Sequence, residues 1–231
     1  MRYVVEGNFE GHKYKGKSLL IIGGGPSTDE VAWDRLDVDF KWSCNGFYLH
    51  PLLRQQDLDL VVMGNLQDYR DENLINYLRT HNTKVLFERP YLYTKTVLEN
   101  AEFHGEFANR VYYSDCDKAY SSIVGPPARL MMLACTLGVS DIYYVGIDGF
   151  DPDLKNKHAF TKEDGLRSGA SHNQYSKYYD AHTQFFRRIW DDFGSSINFH
   201  NLGELADSHN IASVLTKKMH PLDESVIEQI R

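Results

Sequence analysis

Short, almost purely apolar runs alternate along this chain with longer stretches whose apolar residues recur at three- and four-residue spacing. The short runs read as buried strands over Ser18–Ile22, Phe40–Cys44, Leu58–Met63, Lys84–Phe87, Arg110–Tyr113, Asp141–Val145 and Ile197–His200. Between them the spacing predicts helices over Thr28–Leu36, Glu72–Thr80, Thr94–Glu102, Pro127–Leu137 and Ser176–Phe193. Strands alternating with helices describe βαβ units, so the expected architecture is α/β: a Rossmann-like, mainly parallel sheet flanked by helices. Ser27 is placed to cap the first helix, with Glu30 completing a capping box. Pro126 and Pro127 suit the start of the fourth helix and Gly138 its left-handed end. No repeat, linker or low-complexity stretch interrupts the pattern, so residues 1–231 read as a single domain.

One stretch departs from the alternation. From Asp148 to Tyr175 the chain is long, polar and glycine-containing, with Lys155, Lys157, Lys162 and Arg167 interleaved with His158 and His172. Loops of this length are commonly binding loops or lids. This one leaves the end of a buried strand, where open α/β sheets bind ligands, so a lid is expected over about residues 149–175.

Charge narrows the choice of partner. The net charge is −7 and the pI about 5.8, with no run of Lys or Arg, which argues against a nucleic-acid partner. Cys44, Cys116 and Cys135 are too few and too scattered for a disulfide framework or a zinc cluster, and read as reduced thiols of a cytoplasmic protein. No apolar segment is long enough to cross a bilayer or to act as a leader. The 15 Tyr and 12 Phe fit either ring stacking on a ligand or an aromatic core.

The strongest chemical signal is Leu19-Leu20-Ile21-Ile22 running into Gly23-Gly24-Gly25-Pro26-Ser27. A buried strand ends, glycines let the backbone turn tightly, and a helix begins, so free amides and the helix dipole are expected to face an anion there. No Lys-Ser or Lys-Thr follows, which separates the turn from a P-loop. Two further strands end in Asn, at Ser43-Cys44-Asn45-Gly46 and at Met63-Gly64-Asn65, and an Asn side chain offers both a donor and an acceptor to a ribose or base edge. Gly125 opens the helix after Val124 and is a second candidate anion site. The strand Tyr143–Ile147 ends in Asp148, with Asp151 and Asp153 beyond it.

Gly23–Ser27, Cys44-Asn45-Gly46-Phe47-Tyr48 and Leu137–Asp148 together resemble the bacterial lipooligosaccharide sialyltransferases of glycosyltransferase family 42. The resemblance spans residues 18 to about 205 and implies a GT-A-like fold. It implies an inverting, metal-independent transfer of a sugar from a CMP donor to a hydroxyl acceptor, with no cofactor and with self-association. Carried over, it marks Gly24, Gly25, Ser27, Asn45, Asn65, Gly125 and Asp148 as donor-site residues. It marks His172 (or Tyr175) as the base; the leaving phosphate needs positive or hydrogen-bonding groups, which His158, Lys157 or helix N-termini offer. Two lid tyrosines of that family fall near Phe150 and His158, and its membrane-associating C-terminal extension has no counterpart.

Two other functional classes fit parts of the sequence. Archaeal 6-hydroxymethylpterin pyrophosphokinase-like proteins share the Gly-Pro-Ser start and the Gly-Ile-Asp strand, and would use ATP with magnesium held by Asp148, Asp151 and Asp153. A non-catalytic nucleotide-binding protein would keep the fold and lose the chemistry.

Overall fold

The computed structural model describes residues 3–6, 8–63, 71–88, 101–116, 125–148, 159–160, 184–207 and 220–231. An eight-stranded sheet organises them, formed by β1 (Tyr3–Glu6), β2 (Ser18–Ile22), β3 (Phe40–Cys44), β4 (Leu60–Met63), β5 (Lys84–Glu88), β6 (Val111–Cys116), β7 (Asp141–Val145) and β8 (Asn198–Asn201). Its order is β1-β6-β5-β4-β3-β2-β7-β8. The seven strands β2–β8 are parallel, and only β1 runs antiparallel, along the edge of β6.

β2 and β4 are buried along nearly their whole length, as expected for a parallel sheet covered on both faces. The helices are α1 (Ser27–Glu30), α2 (Glu72–Thr80), α3 (Ala101–Glu106), α4 (Pro126–Leu137), α5 (residues 184–193) and α6 (Glu224–Ile230). α4 is the most deeply seated. Residues 128–135 are all buried, and the helix packs on β2, β3 and β4. Its start follows the predicted proline signal, and Gly138 ends it at φ 74°, with its amide donating back to Ala134 and Cys135 carbonyls. Aromatic residues supply much of the core: Tyr14, Trp33, Trp42, Phe47, Tyr48 and Tyr144 are fully or almost fully buried.

One element is added and two predicted ones change. The edge strand β1 carried no strand signal of its own and is formed by pairing with β6. The helix expected over Thr28–Leu36 stops after one turn: α1 ends at Glu30, Val31 is extended at φ −107°, and a 3-10 turn over Trp33–Arg35 follows. The Trp33 indole N–H donates to the Thr28 carbonyl at 2.9 Å and so satisfies a group that a continuing helix would have used. The helix expected over Thr94–Glu102 is described only from residue 101, where α3 runs on to Glu106.

The strand order places a switch point between β2 and β7. From β2 the chain moves outward through β3, β4, β5 and β6, then returns to the other side of β2 with β7 and β8. In open sheets a ligand crevice lies outside the carboxyl ends of the strands at such a point.

Candidate functional site

At the switch point the loop after β2, Gly23–Ser27, meets the loop after β7, Gly146–Asp148. The two are stitched together by hydrogen bonds. Gly23 N–H donates to Val145 O at 2.8 Å and Gly25 N–H to Gly146 O at 2.9 Å. Gly146 N–H donates to Ser27 Oγ at 2.8 Å. The carboxylate of Asp148, 7% exposed, accepts from Ser27 N–H at 2.9 Å on Oδ2 and from the Ser27 hydroxyl on Oδ1.

The glycines serve this close approach. A Cβ on Gly25 would collide with Asp148 Oδ2 and lie 2.8 Å from Gly146 O. Gly146 has a φ of 69°, which favours glycine, and any Cβ there would meet Thr28 Oγ1 and the Gly23 carbonyl.

These bonds correct two sequence expectations. Ser27 is not the cap of α1, because its hydroxyl faces Asp148 rather than the helix and Pro26 holds the capping position. The amides of the turn are not presented to an outside anion either. Gly23, Gly25 and Ser27 donate to β7 and its loop, while Thr28 and Asp29 donate to Gly25 and Pro26 carbonyls. The place an anion would take at the start of α1 is filled by the protein's own carboxylate. An incoming phosphate would have to break charge-assisted bonds of about 1.5–3 kcal/mol each. It would also bear an association cost of about 4 kcal/mol or more, beside a second negative charge. Asp148 wins that competition. Gly24 is the one corner amide for which the described residues offer no acceptor.

The start of α4 is similarly closed. Pro126 and Pro127 have no N–H, and the amides of Ala128 and Arg129 both donate to Gly125 O, at 3.1 and 3.4 Å. The two prolines remove the donors that made Gly125 a candidate anion site and leave only the helix dipole there. Arg129 is buried in this first turn.

The β3 side of the crevice is built differently. Asn45, at the end of β3, is half-buried and adopts φ 45°, the only positive φ of a non-glycine among the described residues. Left-handed backbone at a side-chain-bearing residue concentrates at ligand sites.

Two residues from the predicted lid lie across this opening. Ala159 N–H donates to Gly24 O at 2.9 Å, and Phe160, 4% exposed, packs next to Gly46 with its ring edge-on to His50 at 6.2 Å between centroids. His50 is buried and fully engaged. Its Nδ1 accepts from Leu53 N–H at 3.2 Å, which puts the ring proton on Nε2, and Nε2–H donates to Asp29 Oδ1 at 3.0 Å. Neither His50 nor Phe160 stood out in the sequence, since a histidine before a proline and a phenylalanine inside a polar stretch carry no motif.

Of the predicted site residues, the structure therefore brings Gly24, Gly25, Ser27, Asn45 and Asp148 to one crevice and places Gly125 at the start of α4. Asn65, His158, His172 and Tyr175 lie outside the described residues. His200 stacks on Tyr143 at 4.6 Å and donates from Nδ1 to Pro221 O. Both Asp148 oxygens accept from Ser27, and Asp151 and Asp153 lie outside the described residues. Among the described residues, no three His, Cys, Asp or Glu side chains converge to hold a metal, and no helix is long and apolar enough to cross a membrane.

No protein-family model and no curated protein matches the chain. Solved structures do. The sialyltransferase CstII from Campylobacter jejuni, in complex with the substrate analogue CMP-3FNeuAc, superposes with a TM-score of 0.56 at 14% identity, covering 90% of this chain and 86% of that one. The same enzyme with a trisaccharide acceptor and CMP gives 0.56 at 15% identity over the same shares. The monofunctional alpha-2,3-sialyltransferase Cst-I from Campylobacter jejuni gives 0.55 at 15%, covering 88% of this chain and 79% of that one. The chain has their fold. At this identity the likeness extends to architecture, which is the GT-A-like sheet expected from the sequence.

Proposed function

We propose that this protein is a glycosyltransferase that takes a sialic-acid-like sugar from a CMP donor and passes it to a hydroxyl of a glycan acceptor, with inversion and without a metal. The observation that carries this reading is Asn45, held in left-handed backbone beside the switch point of a sheet shared with CMP-bound sialyltransferases.

The donor lies on the β3 side of the crevice, because the β2–β7 side is stitched shut. The Gly24 amide and the Asn45 side chain hold the nucleotide, and Asn65 contacts the base or ribose. His158 supports the leaving phosphate, a task made heavier by the occupied amides of the corner. His172 takes the proton of the acceptor hydroxyl as its oxygen attacks the anomeric carbon. The bond from that carbon to the phosphate oxygen breaks, and CMP leaves with the electron pair.

Calorimetry with CMP, followed by transfer assays on a panel of nucleotide-sugars, tests this. The expected result is CMP binding without added metal, and a His172→Ala variant that keeps CMP affinity while losing transfer by about 10²- to 10⁴-fold. Absence of CMP binding overturns the assignment, and equal transfer rates in both proteins remove His172 from the mechanism.

A further inference from the structure

The β3 side of the crevice is held in shape by a contact from far along the chain. Ala159 and Phe160 touch both strand ends that form the opening: the Ala159 amide is bonded to Gly24 O, and the Phe160 backbone and side chain lie against Gly46, the neighbour of Asn45. The fit is tight. A Cβ on Gly46 would come 3.2 Å from Phe160 O, tighter than ordinary contact, and 3.4 Å from Leu49 Cδ1.

Beneath the Phe160 ring lies His50, whose two nitrogens are fixed by Leu53 N–H and Asp29. Trp33 backs the same histidine, with ring centroids 6.4 Å apart. An apolar side chain 4% exposed has therefore been seated on a rigid polar ring at the mouth of a crevice. The ring belongs to the hydrophobic core, so the 159–160 segment is anchored from within the molecule. What the seat does secure is the geometry of Gly24 and Asn45.

We infer that Phe160 is a positioning residue for nucleotide binding: its ring, seated on His50, holds the 159–160 backbone against Gly46 and Gly24, and so fixes the left-handed turn at Asn45 and the Gly24 peptide. The inference rests on the proposed CMP site for its consequence, although not for its geometry. Removing the ring leaves a void against His50, releases the 159–160 backbone that rests on Gly24 and Gly46, and so frees the Asn45 turn to relax toward unstrained backbone. Adding a Cβ to Gly46 displaces Phe160 from the opposite side.

Two readouts on the full chain separate the claim from the function it serves. In the first, amide hydrogen exchange at Gly24, Asn45 and Gly46, which reports local opening rather than ring current, is followed by NMR in Phe160→Ala, Gly46→Ala and the conservative Phe160→Leu, with no ligand present. Faster amide hydrogen exchange at Gly24, Asn45 and Gly46 in Phe160→Ala, and at Gly24 and Asn45 in Gly46→Ala, largely restored in Phe160→Leu, is expected. Unchanged exchange at the Asn45 and Gly24 amides overturns the inference. In the second, CMP titration of the same proteins is expected to show affinity about tenfold weaker in Phe160→Ala, with Phe160→Leu close to wild type. Equal CMP affinity in wild type and Phe160→Ala overturns the inference even if thermal stability falls. A wild-type protein that binds no CMP overturns the proposed function instead, and the amide exchange rates alone then decide whether Phe160 sets the turn.

Discussion

Asn45 keeps a backbone conformation that glycine would adopt without cost. Replacing it with glycine relaxes the turn and removes the side chain, so the two effects part. Stability of Asn45→Gly is expected within about 1 kcal/mol of wild type, measured by urea denaturation, while CMP affinity falls by about tenfold or more with the loss of an Asn donor–acceptor pair. A large drop in stability would mean that Asn45 serves the fold rather than a ligand. Ser27 and Asp148, 121 residues apart, make the opposite case, since their hydrogen bonds join the two loops of the switch point. Ser27→Ala and Asp148→Asn each remove part of one shared network, so their effects are expected not to add. A double-mutant cycle in urea should return a coupling of about 1–2 kcal/mol, and simple additivity would show that the two side chains act independently.

At the scale of elements, the amino ends of the strands are locked by a second, half-buried carboxylate. Asp59, just before β4, accepts from Lys13 Nζ at 2.6 Å, from the Tyr14 hydroxyl, and from Lys84 Nζ at 3.4 Å, joining the 3-10 turn Gly11–Tyr14 to β4 and β5. Burial alone would raise the Asp59 carboxyl, but the bonds from Lys13 and Tyr14 and the charges of both lysines outweigh it and hold it below the usual range. A carboxyl depressed on folding stabilises the fold above its unfolded value of about 4 and loses that contribution as pH falls below it. Asp59→Asn should therefore be less stable than wild type at neutral pH, with the gap narrowing between about pH 4 and pH 2 in pH-dependent denaturation. A constant gap would remove Asp59 from the acid limb. Local pattern made much of this layer legible: β2, β3, β7 and α2 fall where apolar runs and helical spacing put them. It failed where a distant partner decides. α1 was overextended because its end depends on Trp33 turning back, and the glycine-rich turn was read as a ligand cradle because nothing local announces that Asp148 fills it. The αL state of Asn45 and the seat of Phe160 are tertiary for the same reason, although the Asn itself stood at a strand end in the sequence.

Taken whole, the molecule has two sheet edges, and the one beyond β7 is protected by the chain's last described segment. Phe199, in the middle of β8, accepts at its carbonyl from His220 N–H at 3.0 Å and donates its own amide to His220 Nδ1 at 3.1 Å. His200 in the same strand is held to Pro221 O, and α6 then carries the chain back to the Trp33–Arg35 turn, where Val226 and Ile230 are buried and Gln229 accepts from Asp37 N–H at 3.2 Å. Residues 220–231 thus cover an exposed strand edge and brace the segment that packs behind His50. An uncovered edge presents unpaired backbone groups and recruits other chains. Burial of Val226 and Ile230 contributes roughly 1.5–3 kcal/mol each. A chain ending at residue 219 is accordingly expected to lose several degrees of Tm and to associate with rising concentration, as read by light scattering. The double variant Val226→Asp, Ile230→Asp should lower Tm in the same way, but associate less if His220 stays on β8. Identical association in both would place the cause in the lost apolar packing; association confined to the truncated chain would place it in the bare edge of β8.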